Sequence, residues 1–194
     1  MNMTLNRISL SIATAVCALI LNACHQESAP AAVATPPASD SHMAAHPSTA
    51  QTPAATNGPV AKISPDTGCE ATLTANDAMQ FNLKELVVDD QCQQLTLHVK
   101  HIGNMPKTAM GHNVVITTDA QLKGVLSDAL KAGKEHDYLQ PNDARVLAHS
   151  KLLGAGEQDT IVVDVARLKG QEHVFVCTFP GHSAPMRGRI RVEA

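Results

Sequence analysis

The sequence predicts an all-β fold, a two-sheet sandwich of about eight short strands with one short helix outside it, behind a disordered N-terminal tether. Three observations predict this. Stretches of polar–apolar alternation or of β-branched residues recur between positions 66 and 194, each closed by Gly or polar residues. One window, 119–133, changes to a helical period. Residues 25–65 are roughly two-thirds Ala, Pro, Ser and Thr with no apolar period, a composition that buries too little surface to offset chain entropy.

The first two dozen residues read as a targeting segment. Met1–Arg7 supplies one positive charge, and Ile8–Leu21 is an apolar run too short to span a bilayer comfortably. It ends in Leu21-Asn22-Ala23-Cys24, which resembles the lipobox of bacterial lipoproteins. There a signal peptidase cuts before the cysteine and the thiol is acylated. Asn22 departs from the small residue usual in that motif, and an ordinary secretory signal cut near Ala23 is the alternative. Both imply export. Residues 24–65 then form an extended tether that spans about 100 Å at the ~3.1 Å per residue of polyproline II. Its His42, Met43 and His46 read as stray polar residues of a low-complexity linker before they read as a copper catch.

The folded domain is expected from Asp66 to Ala194. Gln94–Val99 alternates, with Leu95, Leu97 and Val99 on one face. His112–Thr117 and Thr160–Val165 are β-branched runs of strand length, and His173–Thr178 and Arg189–Glu193 alternate again. Ala71–Thr74, Phe81–Val88 and Arg145–His149 complete the set with weaker patterns. Strands so spaced suggest a sandwich rather than βαβ units. In the helical window Leu122, Val125, Leu126, Ala129 and Leu130 share one face, with Asp119 placed to cap and Gly133 to stop. The formal charge of −3 argues against nucleic acid, which needs a basic face. Aromatic residues at 2% and the absence of Trp leave no stacking platform for bases or sugars.

Five cysteines are present. Cys17 leaves with the signal and Cys24 is the lipid site. In an oxidising compartment Cys69 and Cys92 can pair, which leaves Cys177 alone, and an odd cysteine in an exported chain needs a reason. Cys177, His182 and Met186 follow one another at steps of five and four through a Pro-Gly turn. A Cys/His pair could be a nucleophile and its base, but nothing nearby orients the histidine or forms an oxyanion hole. Zinc has little use for a thioether. One thiolate, two imidazoles and a weak axial thioether are the blue-copper donor set, so a further upstream histidine is needed. His112, opening an apolar strand, competes for that place with His98, His101, His136, His149 and His173.

From Cys69 to Val192 the chain resembles the azurins, bacterial blue-copper electron carriers. Gly103-Asn104-Met105-Pro106-Lys107 with Met110-Gly111-His112-Asn113 matches the first ligand loop. Asp137-Tyr138-Leu139, Arg145-Val146, Ala148-His149 and Lys151-Leu152 match the middle of the domain. Cys177-Thr-Phe-Pro-Gly-His182-Ser-Ala-Pro-Met186 matches the second ligand loop. The resemblance implies a Greek-key cupredoxin sandwich and one copper ion per chain. It makes His112, Cys177 and His182 the equatorial ligands, Met186 the axial thioether and the Gly111 carbonyl a distant axial oxygen. Asn113 would tie the two ligand loops, its amide and that of Phe179 donating to the Cys177 sulfur. Cys69 and Cys92 match the family disulfide. Val114 stands where a buried Trp is frequent, Pro185 replaces a more usual leucine, and Arg167–Gln171 is one residue short.

The same resemblance implies a monomeric carrier rather than an enzyme, cycling between Cu(I) and Cu(II). The electron would leave through His182 inside an apolar patch of Met79, Met105, Met110, Phe179, Pro180, Ala184 and Pro185, with Leu130 a further matching position. His101 matches a histidine whose protonation is coupled to redox state, and His149 a surface one without a role. Asp143, Glu157 and Asp159 read as solvated turn residues. Implied partners are a cytochrome c as donor and a nitrite reductase, oxidase or peroxidase as acceptor. An acylated azurin on a long tether resembles the outer-membrane azurins of Gram-negative bacteria, and His25 after Cys24 leans the same way. The reading from another class is a copper-buffering lipoprotein.

Overall fold

In the computed structural model residues 58–194 are described. The signal segment, Cys24 and the tether histidines lie outside them. Among the described residues ten strands form two sheets. They are β1 (Val60–Ile63), β2 (Glu70–Asn76), β3 (Gln80–Phe81), β4 (Glu85–Asp89) and β5 (Gln94–His101), then β6 (Val115–Thr118), β7 (Val146–His149), β8 (Gln158–Asp164), β9 (His173–Val176) and β10 (Arg187–Glu193). One sheet has the order β1-β4-β10-β9-β6-β7 and the other β3-β2-β5-β8. Neighbours in each sheet are mostly not consecutive in the chain, so the connections pass between layers as in Greek-key sandwiches.

Alternation builds the core. In β5, Leu95, Leu97, Val99 and His101 point inward while the residues between them stay more exposed. From the facing sheet Leu86, Val88, Phe175 and Ile190 complete one cluster. Phe81 and Phe175, one from each sheet, meet edge-on at 5.7 Å across the layers. Helix α2 (Asp119–Ala132) lays Leu122 and Val125 on Val115, Val174 and Val176, the outward side chains of β6 and β9. It is the expected external helix; a one-turn helix, α1 (Lys107–Met110), precedes the first ligand position.

Several boundaries differ from expectation. Folded structure begins before Asp66, because β1 pairs in parallel with β4 and buries Ile63. Four residues at a sheet edge, of which Ile63 alone is fully buried, leave no readable alternation. The run Phe81–Val88 divides in two. Asn82 accepts the Thr74 N–H on its side chain at 2.8 Å and donates to the Thr72 carbonyl at 3.3 Å, and the chain then crosses to the other sheet. Thr118, not Asp119, is the helix N-cap residue, and Leu130 is 60% exposed instead of lying on the apolar face. Asp143 binds Arg145, Glu157 binds Lys107 and the Gly154 N–H, and Asp159 accepts the Lys151 N–H, so none is merely solvated.

Cys69 and Cys92 are joined, with Cα atoms 5.8 Å apart and a sequence separation of 23. The bridge ties the start of β2 to the turn before β5. Closing a loop of that length restricts the unfolded chain by roughly 3 kcal/mol. Replacing both cysteines by serine is expected to lower the unfolding free energy in denaturant by about that amount, and a loss under about 1 kcal/mol would show that the bridge is incidental.

Candidate metal centre

Strand register brings the site together. β6 and β9 are antiparallel with Val115 opposite Val176, and Arg187 of β10 is also opposite Val176. The start of β6, the end of β9 and the start of β10 therefore lie side by side at one end of the sandwich. His112 comes three residues before Val115, Cys177 directly after Val176, and Met186 directly before Arg187. His112 is pinned by two backbone bonds to Leu153, at 3.0 and 2.7 Å. In the second loop Cys177 N–H donates to the Met186 carbonyl and Met186 N–H to the His182 carbonyl, both at 2.9 Å. Pro180-Gly181 makes the turn that returns His182: its N–H donates to Phe179 at 3.0 Å, and Gly181 has φ +82, as the third position of a type II turn requires.

Three donors converge in this pocket. His112 Nδ1 and His182 Nδ1 are 3.2 Å apart, and Cys177 Sγ lies 3.9 and 3.8 Å from them. All three residues are buried, as is Met186. Nitrogen and sulfur at ~2.0–2.3 Å from one ion and spread around it would stand roughly 3.5–3.7 Å apart, so the spacing fits a single cation at the centre. The tautomer agrees: His112 Nε2 donates to the Asn76 carbonyl at 2.9 Å, which leaves the Nδ1 lone pair facing the sulfur. With the His112 Nδ1 lone pair, the His182 nitrogen and the thiol turned toward one centre, the pocket is fitted to a cation. A profile of copper binding proteins, plastocyanin/azurin family, matches residues 67–193.

The chain belongs to that family. Over 126 residues it is 50% identical to azurin of Achromobacter denitrificans, covering 64% of this chain and 85% of that protein. It is 47% identical over 126 residues to azurin of Pseudomonas aeruginosa, with the same coverage. Outer membrane protein H.8 of Neisseria meningitidis is 46% identical over 122 residues, 63% of this chain and 66% of that protein. In this azurin-family domain His112, Cys177 and His182 form the candidate copper site, and copper is the cofactor.

Around the donors, Asn113 straps the two loops together. Its Oδ1 accepts the Thr178 N–H at 2.8 Å, and its Nδ2 donates to Thr178 Oγ1 at 2.8 Å and to the Asp137 carbonyl at 3.0 Å. Backbone N–H groups of Asn113 and Phe179 bond the Cys177 sulfur. Gly111 has φ −68, so it needs no left-handed freedom; it needs room. A Cβ there would stand 2.6 Å from the Lys107 carbonyl oxygen and 3.1 Å from Leu152. The crowding is with α1 and Leu152. Val114 is fully buried in the core.

His101 stacks on His112 with ring centres 4.8 Å apart, donating Nε2–H to the Met110 carbonyl at 2.9 Å and accepting the Gly103 N–H at 3.1 Å. Of the other histidines weighed for the site, His98 and His149 bond elsewhere and His173 sits in β9 away from the donors. Two residues escaped sequence reasoning. Asn76 supplies the carbonyl that orients His112. Asp77 accepts the N–H groups of Asn104 and Met105, at 2.7 and 3.3 Å, and so holds the loop ahead of α1. Backbone carbonyls and a lone turn aspartate leave no periodic signal. Met79, Met105, Pro180, Ala184 and Pro185 are exposed, and Met110 and Phe179 half-buried. His182 keeps 4% of its surface.

Burial dominates the titration of these groups. It holds His112 down at about 4, against the bond to Asn76, with His101 and His182 lowering it further and Asp77 raising it. His182 is likewise lowered by burial. Burial pushes the Cys177 thiol up to about 11, against its two backbone N–H bonds. At pH 7 the metal-free pocket therefore holds neutral imidazoles and one thiol proton. Binding Cu(II) at pH 7 is expected to release about one proton per chain, read by a pH indicator in weak buffer; release near zero would exclude the sulfur as a donor. The metal-free domain should also lose stability as pH falls from 6.5 toward 4. In that window the unfolded His112 takes a proton that the folded one refuses. Urea midpoints of the metal-free protein check this, and midpoints flat across the window would contradict it.

Proposed function

We propose that this chain is a single-electron carrier of the periplasm, tethered to the outer membrane of a Gram-negative bacterium through an acyl group on Cys24. The observation that carries this reading is the convergence of His112 Nδ1, Cys177 Sγ and His182 Nδ1 within 3.2–3.9 Å in a buried pocket that ends at an apolar loop. Met186 would add a thioether to these three donors, and the Gly111 carbonyl a weak oxygen. Copper held there supplies one-electron chemistry between Cu(I) and Cu(II).

The rest belongs to the protein. Soft sulfur donors suit the reduced ion and imidazoles suit both states, so one donor arrangement serves each. The His112–Leu153 bridge, the Cys177–Met186 bond and the Asn113 strap hold the donors in place whichever state is present. Little then has to move when an electron passes. The N–H groups of Asn113 and Phe179 withdraw density from the sulfur and favour the reduced state. His182 lies beneath Phe179, with ring centres 4.6 Å apart, and the exposed Pro180, Ala184 and Pro185 flank it. Met79 and Met105 extend this apolar surface. A flat, adaptable, Met-bearing patch suits brief docking with several redox proteins, a cytochrome c as donor and a nitrite reductase, oxidase or peroxidase as acceptor. The relative called an outer membrane protein supports the location. No bond chemistry is assigned to the site.

Copper-loaded protein, reduced and mixed with periplasmic and membrane fractions of the host, should recover its intense visible absorption when the physiological oxidant is added. Nitrite, oxygen and peroxide are tried in turn, and recovery with one of them names the pathway. A protein that binds copper without ever turning blue would replace the carrier by a copper-buffering role.

A further inference from the structure

Beside the His182 loop the surface changes from apolar to basic. Lys84 donates its Nζ to the Pro185 carbonyl at 2.7 Å. Its backbone is clamped too: its N–H donates to Pro59 at 2.8 Å, and its carbonyl accepts from Arg189 at 2.9 Å. The ammonium group therefore stands at the rim of the exposed Ala184-Pro185 step instead of swinging free. Arg187 and Arg189 project from the outer face of β10, because Gly188 and Ile190 are turned into the core. They line a shallow concavity of about 300 Å³ with Ala184, Val174, Gly188 and Asp119.

Two residues along the same strand, Arg191 is held by Glu85 and Glu193. Among the described residues Arg187 and Arg189 have no ion-pair partner, and Asp119 is the carboxylate that shares their concavity. Glu85, opposite Arg189 in the β4–β10 register, is already bound to Arg191, so Lys84, Arg187 and Arg189 beside Asp119 leave a local positive excess on a chain whose formal charge is −3. Guanidinium groups without partners are ready for bidentate contact with carboxylates. A charged margin also raises the association rate of a weak apolar contact by steering, without requiring a long-lived complex.

We propose that Lys84, Arg187 and Arg189 form a basic margin along one side of the apolar surface around His182, and that this margin docks a redox protein whose contact face carries carboxylates beside an apolar centre. The proposal rests on the electron-carrier reading above.

The test uses the copper-loaded full chain and stopped-flow electron exchange with an acidic ferricytochrome c, with a basic one in parallel. Wild type is compared with the double variant Arg187→Gln, Arg189→Gln, and with Lys84→Gln. The control, Lys100→Gln with Lys151→Gln, removes two positive charges from other parts of the surface. At low ionic strength the arginine pair is expected to slow exchange with the acidic cytochrome about tenfold, and Lys84→Gln to slow it in the same direction. The control should change it by about twofold or less. The difference should collapse above about 0.1 M salt, where the Debye length is ~10 Å, and should vanish or reverse with the basic cytochrome. Reduction potential and visible absorption should be unchanged in all variants. Equal slowing by the arginine pair and the control, or no slowing by any variant, overturns the proposal while leaving a blue electron carrier. A wild-type protein that never turns blue overturns the carrier reading and the proposal with it.

Discussion

The pairing of Val115 with Val176 is the constraint on which the rest depends. It aligns the start of β6 with the end of β9, while Arg187 opposite Val176 brings in the start of β10. A slip of one residue in any of these ladders would turn the outward and inward sets over, moving a ligand to the wrong side of the sheet. The register is protected by burial on both faces. Phe175 and Cys177 point into the main core, Val174 and Val176 lie under α2, and neither set tolerates exchange with solvent.

On this frame the site is assembled against its own chemistry. Two imidazole nitrogens and a thiol converge in a buried pocket, an arrangement that is costly for buried polar groups without a cation. The surrounding bonds over-determine it: Asn76 fixes the His112 tautomer, Leu153 fixes its backbone, and Asn113 joins one loop to the other. Ligands held by the fold rather than by the ion keep their positions when the charge on the ion changes, which is what rapid electron exchange asks of a protein.

The surface is arranged on the same end of the molecule. On the docking proposed above, exposed Met, Pro and Ala side chains would form the contact around His182, with basic side chains along one side. Apolar contact supplies weak affinity, and charge at its margin supplies orientation and rate. The mildly acidic chain as a whole would not have suggested a basic margin, because Arg187 and Arg189 become a cluster with Lys84 through strand pairing between β4 and β10.

Much of this was legible in the sequence. The alternation of Gln94–Val99, the β-branched run through Val115 and the helical period after Asp119 specify elements because side-chain burial imposes a period that local residues must obey. The loop that holds Cys177 and His182 was readable because these two candidate ligands lie close in sequence around a Pro-Gly turn, and the spacing itself encodes convergence. Strand β1, the crossing at Asn82, the exposure of Leu130 and the roles of Asn76 and Asp77 were not. Each depends on what another part of the chain presents: an open edge at β4, a backbone amide on β2, the end of the apolar surface under α2, a histidine thirty-six residues away. The sequence by itself determined the donor types, the loop that carries Cys177 and His182 and the layers they rest on, since these follow from local chemistry and periodicity. Only the tertiary structure decided that His112, among several histidines, meets that loop, because the choice is made by the register of two strands distant in the chain.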